Sequence, residues 1–375
     1  MLTLVLVVVI AALVFEYING FHDTANSIAT VVATKTLSPM QAVMLAAATN
    51  LVGALWGTAV AKTITSGIVD THVIEVTSQL VLCALIGGIA WNLITWAAGL
   101  PSSSSHALIG GLCGAALAAA RGNWEAIVWS APADPWFKSG GVLWKVIVPM
   151  VTSPLLGFIV GFLIMGVLYA IISGMAASGG VFRRAAKPRH VNRFFKVAQV
   201  ASAGAMGFAH GSNDAQKTMG IIAITLLGAQ AAGTLDNLPG WLAFLHPTDH
   251  ALATKDIDTW IKITCALVMA AGTAAGGWRI IKTLGHKLVK LQPINGFAAE
   301  SSASAVILTA SALGIPVSTT HNISATIMGV GTAKQSNAIR WTVVERMVWA
   351  WLLTIPAAAG IAWLAYEVML YAGWA

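Results

Sequence analysis

The sequence predicts an all-α polytopic membrane protein built from two inverted-topology repeats, with broken helices and helical hairpins. Three observations carry this. Hydrophobic residues fill 57% of the 375 positions and charged residues only 9%, against about 25% charged in ordinary soluble domains, and no soluble fold hides so much apolar surface. Two polar clusters, Asn19-Gly20-Phe21-His22-Asp23 and Pro101-Ser102-Ser103-Ser104-Ser105-His106, recur in kind as His210-Gly211-Ser212-Asn213-Asp214 and Pro316-Val317-Ser318-Thr319-Thr320-His321. Finally, the charges of the loops imply an odd number of crossings in each half.

Taken in order, the apolar stretches are 1–34 (interrupted at 19–23), 40–61, 78–120 (interrupted at 99–106) and 143–173. After a polar linker come 194–230 (interrupted at 210–214), 258–278, 296–333 (interrupted at 314–321) and 343–372. Residues 1–18 lack the basic start of a signal peptide and run straight into the first polar cluster, so they read as a retained helix. The linker region carries Arg183, Arg184, Lys187, Arg189, Arg193 and Lys196, and a second basic loop carries Arg279, Lys282, Lys287 and Lys290; the positive-inside rule makes both cytoplasmic. The 231–257 loop holds Asp236, Asp249 and Asp256 against one lysine and is placed outside. Stretch 194–230 is too long for one straight span of ~20 residues, yet its ends lie on opposite sides, so it reads as one crossing with a break. Stretch 296–333 starts and ends near basic loops and reads as a hairpin. Each half then has three net crossings, which forces opposite insertion of the halves, with both termini outside. The predicted division is 1–173 for the first repeat, 174–192 for the cytoplasmic linker and 193–375 for the second repeat.

Polar groups at membrane depth cost free energy unless partnered, and mark function. Gly20 and Gly211 permit a sharp backbone, and Asp23 and Asp214 follow each by three residues. Pro101 and Pro316 interrupt the hairpins and lead into hydroxyl runs; hydroxyls and free N–H groups at a helix start suit an oxyanion. Carboxylates repel an anion, so the aspartates should hold a cation or proton that travels with it. His22 and His210, beside the predicted breaks, are candidates for coupling, as is Glu300 near the start of the second hairpin. Lys217 could attract an anion or pair with Asp214 one turn away, with the pair favoured. His106 and His321 are equally consistent with structural histidines. Gly110, Gly111, Gly114, Gly329 and Gly331 read as close helix-packing positions. Cys83, Cys113 and Cys265 read as core filler, and the fifteen tryptophans mostly as interfacial anchors.

At these residues a family resemblance becomes specific. Asn19-Gly20-Phe21-His22-Asp23-Thr24-Ala25-Asn26-Ser27 and His210-Gly211-Ser212-Asn213-Asp214-Ala215-Gln216-Lys217 resemble the paired signatures of the PiT family of inorganic phosphate transporters. Gly99-Leu100-Pro101-Ser102-Ser103-Ser104-Ser105-His106 and Gly314-Ile315-Pro316-Val317-Ser318-Thr319-Thr320-His321 resemble its two hairpin motifs. The resemblance implies a symporter that takes up inorganic phosphate with a cation where the clusters meet the hairpin tips. By its motifs, Asn26, Ser103, Ser104, Asn213, Ser318 and Thr319 would bind substrate, and Asp23 and Asp214 would hold the coupling cation or a metal ion. His22 stands where the family more often has Asn, and Asn50 where sodium-coupled animal members carry Glu, while Glu300 matches a family acid. With the short linker, these features lean towards the bacterial type in the cytoplasmic (inner) membrane, which is associated with proton coupling and with phosphate carried as a neutral divalent-metal complex. The coupling ion, H⁺ or Na⁺, with or without Mg²⁺, is left open.

The expected partners are inorganic phosphate, the coupling cation and the lipid bilayer, with no covalently bound cofactor and no nucleic acid; a homo-oligomer is compatible with the sequence. Rival functions are transport of another oxyanion such as sulfate, an intramembrane hydrolase and a channel. A serine mechanism needs one nucleophile beside one base, whereas the chain offers two equivalent sets, so no enzyme is expected.

Overall fold

The computed structural model describes every residue except 67, 135–138, 255, 336–337 and 374–375, and describes 64–66 and 334 by their backbone only. In chain order the helices are α1 (Leu2–Ala33), α2 (Pro39–Ala54), α3 (Ala59–Ser66), α4 (Ser78–Ala98), α5 (Ser104–Ala119), α6 (Val148–Ala177) and α7 (Gly180–Ala185). They continue with α8 (Pro188–Ala231), α9 (Asp249–Thr254), α10 (Thr259–Ala275), α11 (Trp278–Lys282), α12 (Pro293–Ala312), α13 (Thr319–Lys334) and α14 (Trp341–Tyr371). No β-strand occurs among the described residues beyond two isolated bridges. α1, α4, α6 with its preceding turn from Leu143, and α14 are long and apolar enough to cross a membrane. Outward faces confirm the solvent: Leu155, Leu156, Leu163 and Val167 of α6 and Leu352, Leu353, Leu364 and Val368 of α14 are exposed, while the polar clusters are buried. The chain is an all-α polytopic membrane protein, as its composition predicts.

The two hairpins form where the sequence places them. α4 ends at Gly99, with φ 66°, and α12 runs to Leu313 and then Gly314, with φ 65°. Both angles lie in the left-handed region that a Cβ disfavours. Extended segments carrying Pro101 and Pro316 follow, and Ser103 and Ser318 then cap α5 and α13 by accepting from the backbone N–H groups of His106 and His321 at 3.3 and 3.2 Å. Each turn is tied from outside its own hairpin: Thr283 donates to the Gly99 carbonyl at 2.9 Å, and Thr63 to the Gly314 carbonyl at 2.7 Å.

The expected helix breaks do not occur. α1 passes through 19–23 and α8 through 210–214 as uninterrupted α-helix. The glycines there serve close approach rather than a sharp bend. A Cβ on Gly20 would strike the Met269 carbonyl of α10, and one on Gly211 the Asn50 carbonyl of α2. Reciprocally, Gly272 of α10 lies against the Tyr17 backbone of α1, and Gly53 of α2 against the Phe208 backbone of α8. Gly110 and Gly114 seat α5 against Ile355 and Ala359 of α14, Gly111 seats α5 on Ala84 of α4, and Gly329 seats α13 on Phe158 of α6; Gly331 meets only the side chains of Val289 and Ile339. Small residues thus fix the spacing of helices that lipid gives no hydrophobic reason to associate.

The expected linker, 174–192, is mostly helical: α6 runs on to Ala177, α7 fills 180–185, and α8 starts at Pro188. Proline at a first helical position has no orphan N–H and its φ suits the helix. The 40–61 stretch divides at Leu55–Thr58 into α2 and α3, with Gly57 at φ 83°.

Two apolar cores lie at opposite ends of the long helices. One takes Val5–Phe15 of α1 with Ile221–Ala229 of α8, and the other takes Ala25–Val31 of α1 with Phe195–Ala209 of α8. The polar clusters occupy the layer between them.

Replacing Gly53 or Gly272 by Ala should overpack these crossings and cost about 1–3 kcal/mol, read as a lowered melting temperature in detergent. Gly166→Ala and Gly174→Ala, where a Cβ meets nothing within 4 Å, should be neutral or slightly stabilising.

Candidate functional site

Asp23 on α1 and Asp214 on α8 face each other across the middle of the molecule, 2% and 1% exposed. One oxygen of each and a ring nitrogen of His210 all lie within 4.8 Å of one another. The two hairpin tips close over this pair in a crossed pattern. Ser104 Oγ donates to Asp23 Oδ2 at 3.2 Å, while its neighbour Ser105 accepts from Lys217, which also pairs with Asp214. Thr319 Oγ1 donates to Asp214 Oδ2 at 2.9 Å, while its neighbour Thr320 donates to Asp23 Oδ1 at 3.3 Å. The second tip therefore touches the aspartates of both halves through two consecutive hydroxyls, while the first touches Asp23 directly and reaches Asp214 through Lys217.

Asn26, one turn beyond Asp23, donates to Thr319 at 3.2 Å and Thr320 at 2.9 Å, and its Oδ1 receives no donor. His22 Nδ1 lies 2.6 Å from Asp23 Oδ1, with its Nε2 held by Thr95 at 3.2 Å and Ser102 at 3.5 Å. His210 is oriented from behind by Asn50. The Asn50 amide nitrogen donates to Thr273 at 3.0 Å, so its oxygen must accept from His210 Nδ1 at 3.1 Å. In the neutral ring the proton then sits on Nδ1, and Nε2 presents a lone pair 3.0 Å from Asp214 Oδ2. Two lone pairs at that distance repel unless a proton or cation lies between them.

The structure brings Asp23, Asp214, His22, His210, Asn26, Ser104 and Thr319 together. Ser103 and Ser318 border the cluster as helix caps, each accepting a backbone N–H and keeping its own hydroxyl proton. Asn213 turns to Ser311 at 2.8 Å, with its Oδ1 lacking a donor. Glu300 sits apart. It is fully buried and held by Thr30, by Ser202 at 2.5 Å and by Gln199 at 3.5 Å, two turns along α1 from Asp23.

Several residues escape sequence reasoning. Ser105 and Thr320 were visible only as members of hydroxyl runs, and their helical register decides which carboxylate they reach. Trp351 of α14 is no surface anchor: it donates to the Pro101 carbonyl at 3.0 Å and stacks on His321 with centroids 4.2 Å apart. Glu16 lies seven residues before Asp23 on the same face of α1, fully buried, bonded by Thr218 through one oxygen and without a donor on the other. A lone carboxylate in an apolar run was its signal.

The model of the phosphate transporter family matches residues 19–362. The chain belongs to the phosphate transporter family. Over 98% of both chains it is 40% identical to a protein of Bacillus subtilis (strain 168) named "Probable low-affinity inorganic phosphate transporter". A Rhizobium meliloti (strain 1021) protein of the same name is 41% identical over 95% of this chain and 93% of its own. A solved structure described as "The sodium-dependent phosphate transporter" superposes with a TM-score of 0.76 at 23% identity, covering 98% of this chain and 99% of that one, which bears out the fold. This family member is a transporter and not an enzyme.

Thr320→Val removes a hydroxyl donor from a buried carboxylate and should destabilise the protein by about 1.5–3 kcal/mol, measured by unfolding in detergent. Thr309→Val, at an exposed position where the hydroxyl bonds only its own helix, should cost far less.

Proposed function

We propose that this protein is a secondary active symporter that takes up inorganic phosphate across the cytoplasmic membrane together with a cation. The observation that carries this is the clustering of Asp23, Asp214 and His210 within 4.8 Å beneath the N-termini of α5 and α13. Helix N-termini offer unsatisfied N–H groups and the positive end of the dipole to an anion. Two carboxylates beside them would repel phosphate unless a cation screens them.

The hydrogen bonds suggest how the two ligands depend on one another. Ser104, Thr319 and Thr320 spend their protons on the aspartates. A cation or proton on those carboxylates competes for the same lone pairs and releases the hydroxyls to donate to an oxyanion. Without the cation, the anion meets negative charge and engaged donors; with it, both obstacles go. Coupling follows from that competition, whether the cation is H⁺, Na⁺ or a divalent metal that enters with phosphate as cargo. Asn26 Oδ1 and Asn213 Oδ1, acceptors without donors, are further oxygens for a hard cation.

The division into inverted repeats of 1–173 and 193–375 belongs to the same proposal. What supports it is reciprocal packing: α1 on α10 matches α8 on α2, and α5 on α14 matches α13 on α6. The basic run from Arg183 to Lys196, exposed throughout its charged residues, would then lie in the cytoplasm with both termini outside. Single cysteines introduced at 189 and 241 should label from opposite sides of intact cells or spheroplasts; labelling from one side would refute the inverted arrangement.

Asp23→Asn and Asp214→Asn keep shape and each remove a negative charge against which positive charge is held in the site. Each should abolish concentrative uptake of labelled phosphate in proteoliposomes while the protein still inserts, under separately imposed proton, sodium and magnesium gradients. Ser103→Ala and Ser318→Ala should chiefly weaken apparent affinity, by roughly 1–3 kcal/mol, or about 5- to 150-fold. Normal accumulation by the Asn variants would make the aspartates structural, and sulfate competing as well as phosphate would reassign the substrate.

A further inference from the structure

The two halves of the site carry different residues three positions after each aspartate. Three residues after Asp23 the chain has Asn26, and three residues after Asp214 it has Lys217. Lys217 is 2% exposed. Its ammonium meets three oxygens of three kinds: the Asp214 carboxylate, the Ser105 hydroxyl and, at 3.1 Å, the Val317 backbone carbonyl. An ammonium has three donors, and here all three are used. A carboxylate, a hydroxyl and a main-chain carbonyl converging from α8, α5 and the second hairpin tip are also the ligand set of a hard metal cation. On the other side no fixed cation reaches Asp23. It has two hydroxyls, His22, whose charge depends on protonation, and the unpartnered oxygen of Asn26 one turn away.

We propose that the Lys217 ammonium stands in for one of two coupling cations, filling permanently the half-site of Asp214 and leaving only the half-site of Asp23 to be filled from solution. This rests on the reading of the cluster as the transport site. A transporter with equivalent open half-sites would load a mobile cation at each carboxylate. Here one countercharge is tethered to the protein, returns empty with it, and takes no energy from a gradient. Phosphate uptake by this chain should therefore use one mobile cation fewer than two open half-sites would. Asn26 shows what the second half-site becomes without the lysine: an amide oxygen in place of the ammonium, free to help ligate an ion.

The test replaces the Lys217 ammonium by an amide, the group that the Asp23 half carries at Asn26. Lys217→Asn and Lys217→Gln, the double variant Lys217→Asn/Asp214→Asn and wild type are purified in high sodium. Each is melted in detergent, without phosphate, across sodium, lithium and potassium concentrations balanced with N-methylglucamine. Expected is a melting temperature for the single variants that climbs with the logarithm of monovalent cation concentration beyond any climb in wild type, with the surplus lost in the double variant. In proteoliposomes the single variants should then require one more such cation per phosphate than wild type, read as a steeper sodium dependence. The proposal is overturned if the single variants fold but show no surplus response to any of the three cations. It is also overturned if the surplus survives Asp214→Asn, or if neither variant folds even in high sodium, since a supplied ion should replace the ammonium. The melting experiment contains no phosphate, so its outcome is independent of transport; unimpaired uptake by Asp214→Asn would instead refute the transport reading itself.

Discussion

Two carboxylates buried in the middle of a membrane protein are the constraint that the remaining architecture answers. A charged group in an apolar medium costs several kcal/mol even after relaxation, and Asp23 and Asp214 sit where neither water nor lipid headgroups can help. Their stabilisation comes from side chains of four elements: hydroxyls from the starts of α5 and α13, His22 from α1, and His210 with Lys217 from α8. To deliver those hydroxyls, two helices must begin at mid-depth. That in turn requires hairpins that enter and turn inside the protein, with capped N-termini and left-handed glycines behind them. The hairpins, the serine caps and the ties from Thr63 and Thr283 all serve the placement of a few oxygen atoms.

The same constraint explains the glycines. Asp23 and Asp214 come within ligand distance of one another only if α1 and α8 approach the axis of the molecule closely. α1 is held there by α10 and α8 by α2. At both crossings backbone meets backbone, through Gly20 with Gly272 and through Gly211 with Gly53. A methyl group at any of these four positions pushes a carboxylate-bearing helix outward, so small-residue packing and site geometry are one property.

Much of this was legible in the sequence because polar residues in apolar runs are costly and therefore conspicuous. The four clusters, the hairpin turns at Gly99 and Gly314, the hydroxyl-rich helix starts and the Asp214–Lys217 pair all follow from residue type and spacing. The helix breaks did not, and the reason is physical. Glycine at a polar cluster is compatible both with a bent backbone and with a straight helix in close contact, and only the partner helix decides. Glu300 drew attention as an acid near the start of a hairpin, yet it bonds Thr30, two turns along α1 from Asp23, and Ser202, more than three turns before Asp214 on α8, because position along α12 is set by packing on α8 that no local pattern encodes. Asn50, a departure from expectation when read as a missing acid, turns out to orient His210. Its role depends on Thr273 on α10, 223 residues away in the chain.

His210 shows why the cluster is more than a set of satisfied hydrogen bonds. With Nδ1 committed to Asn50, its Nε2 can face Asp214 comfortably only through a proton or a cation. Asn26 and Asn213 likewise turn oxygens into the interior without donors. Ser104, Thr319 and Thr320, by contrast, already donate their hydroxyl hydrogen bonds to the carboxylates. The resting arrangement is thus rich in acceptors, and the hydroxyls that touch the carboxylates are already engaged, leaving Ser103 and Ser318 at its border with free protons. A positive ion relieves that imbalance directly, and once it binds, the hydroxyl protons and the helix N-termini become the strongest unfilled sites in the neighbourhood. Those sites suit an oxyanion. On the proposed reading, the order of favourable events, cation first and anion second, follows from the donor and acceptor count of the site, and the tethered ammonium of Lys217 would set how much of the positive charge must come from solution.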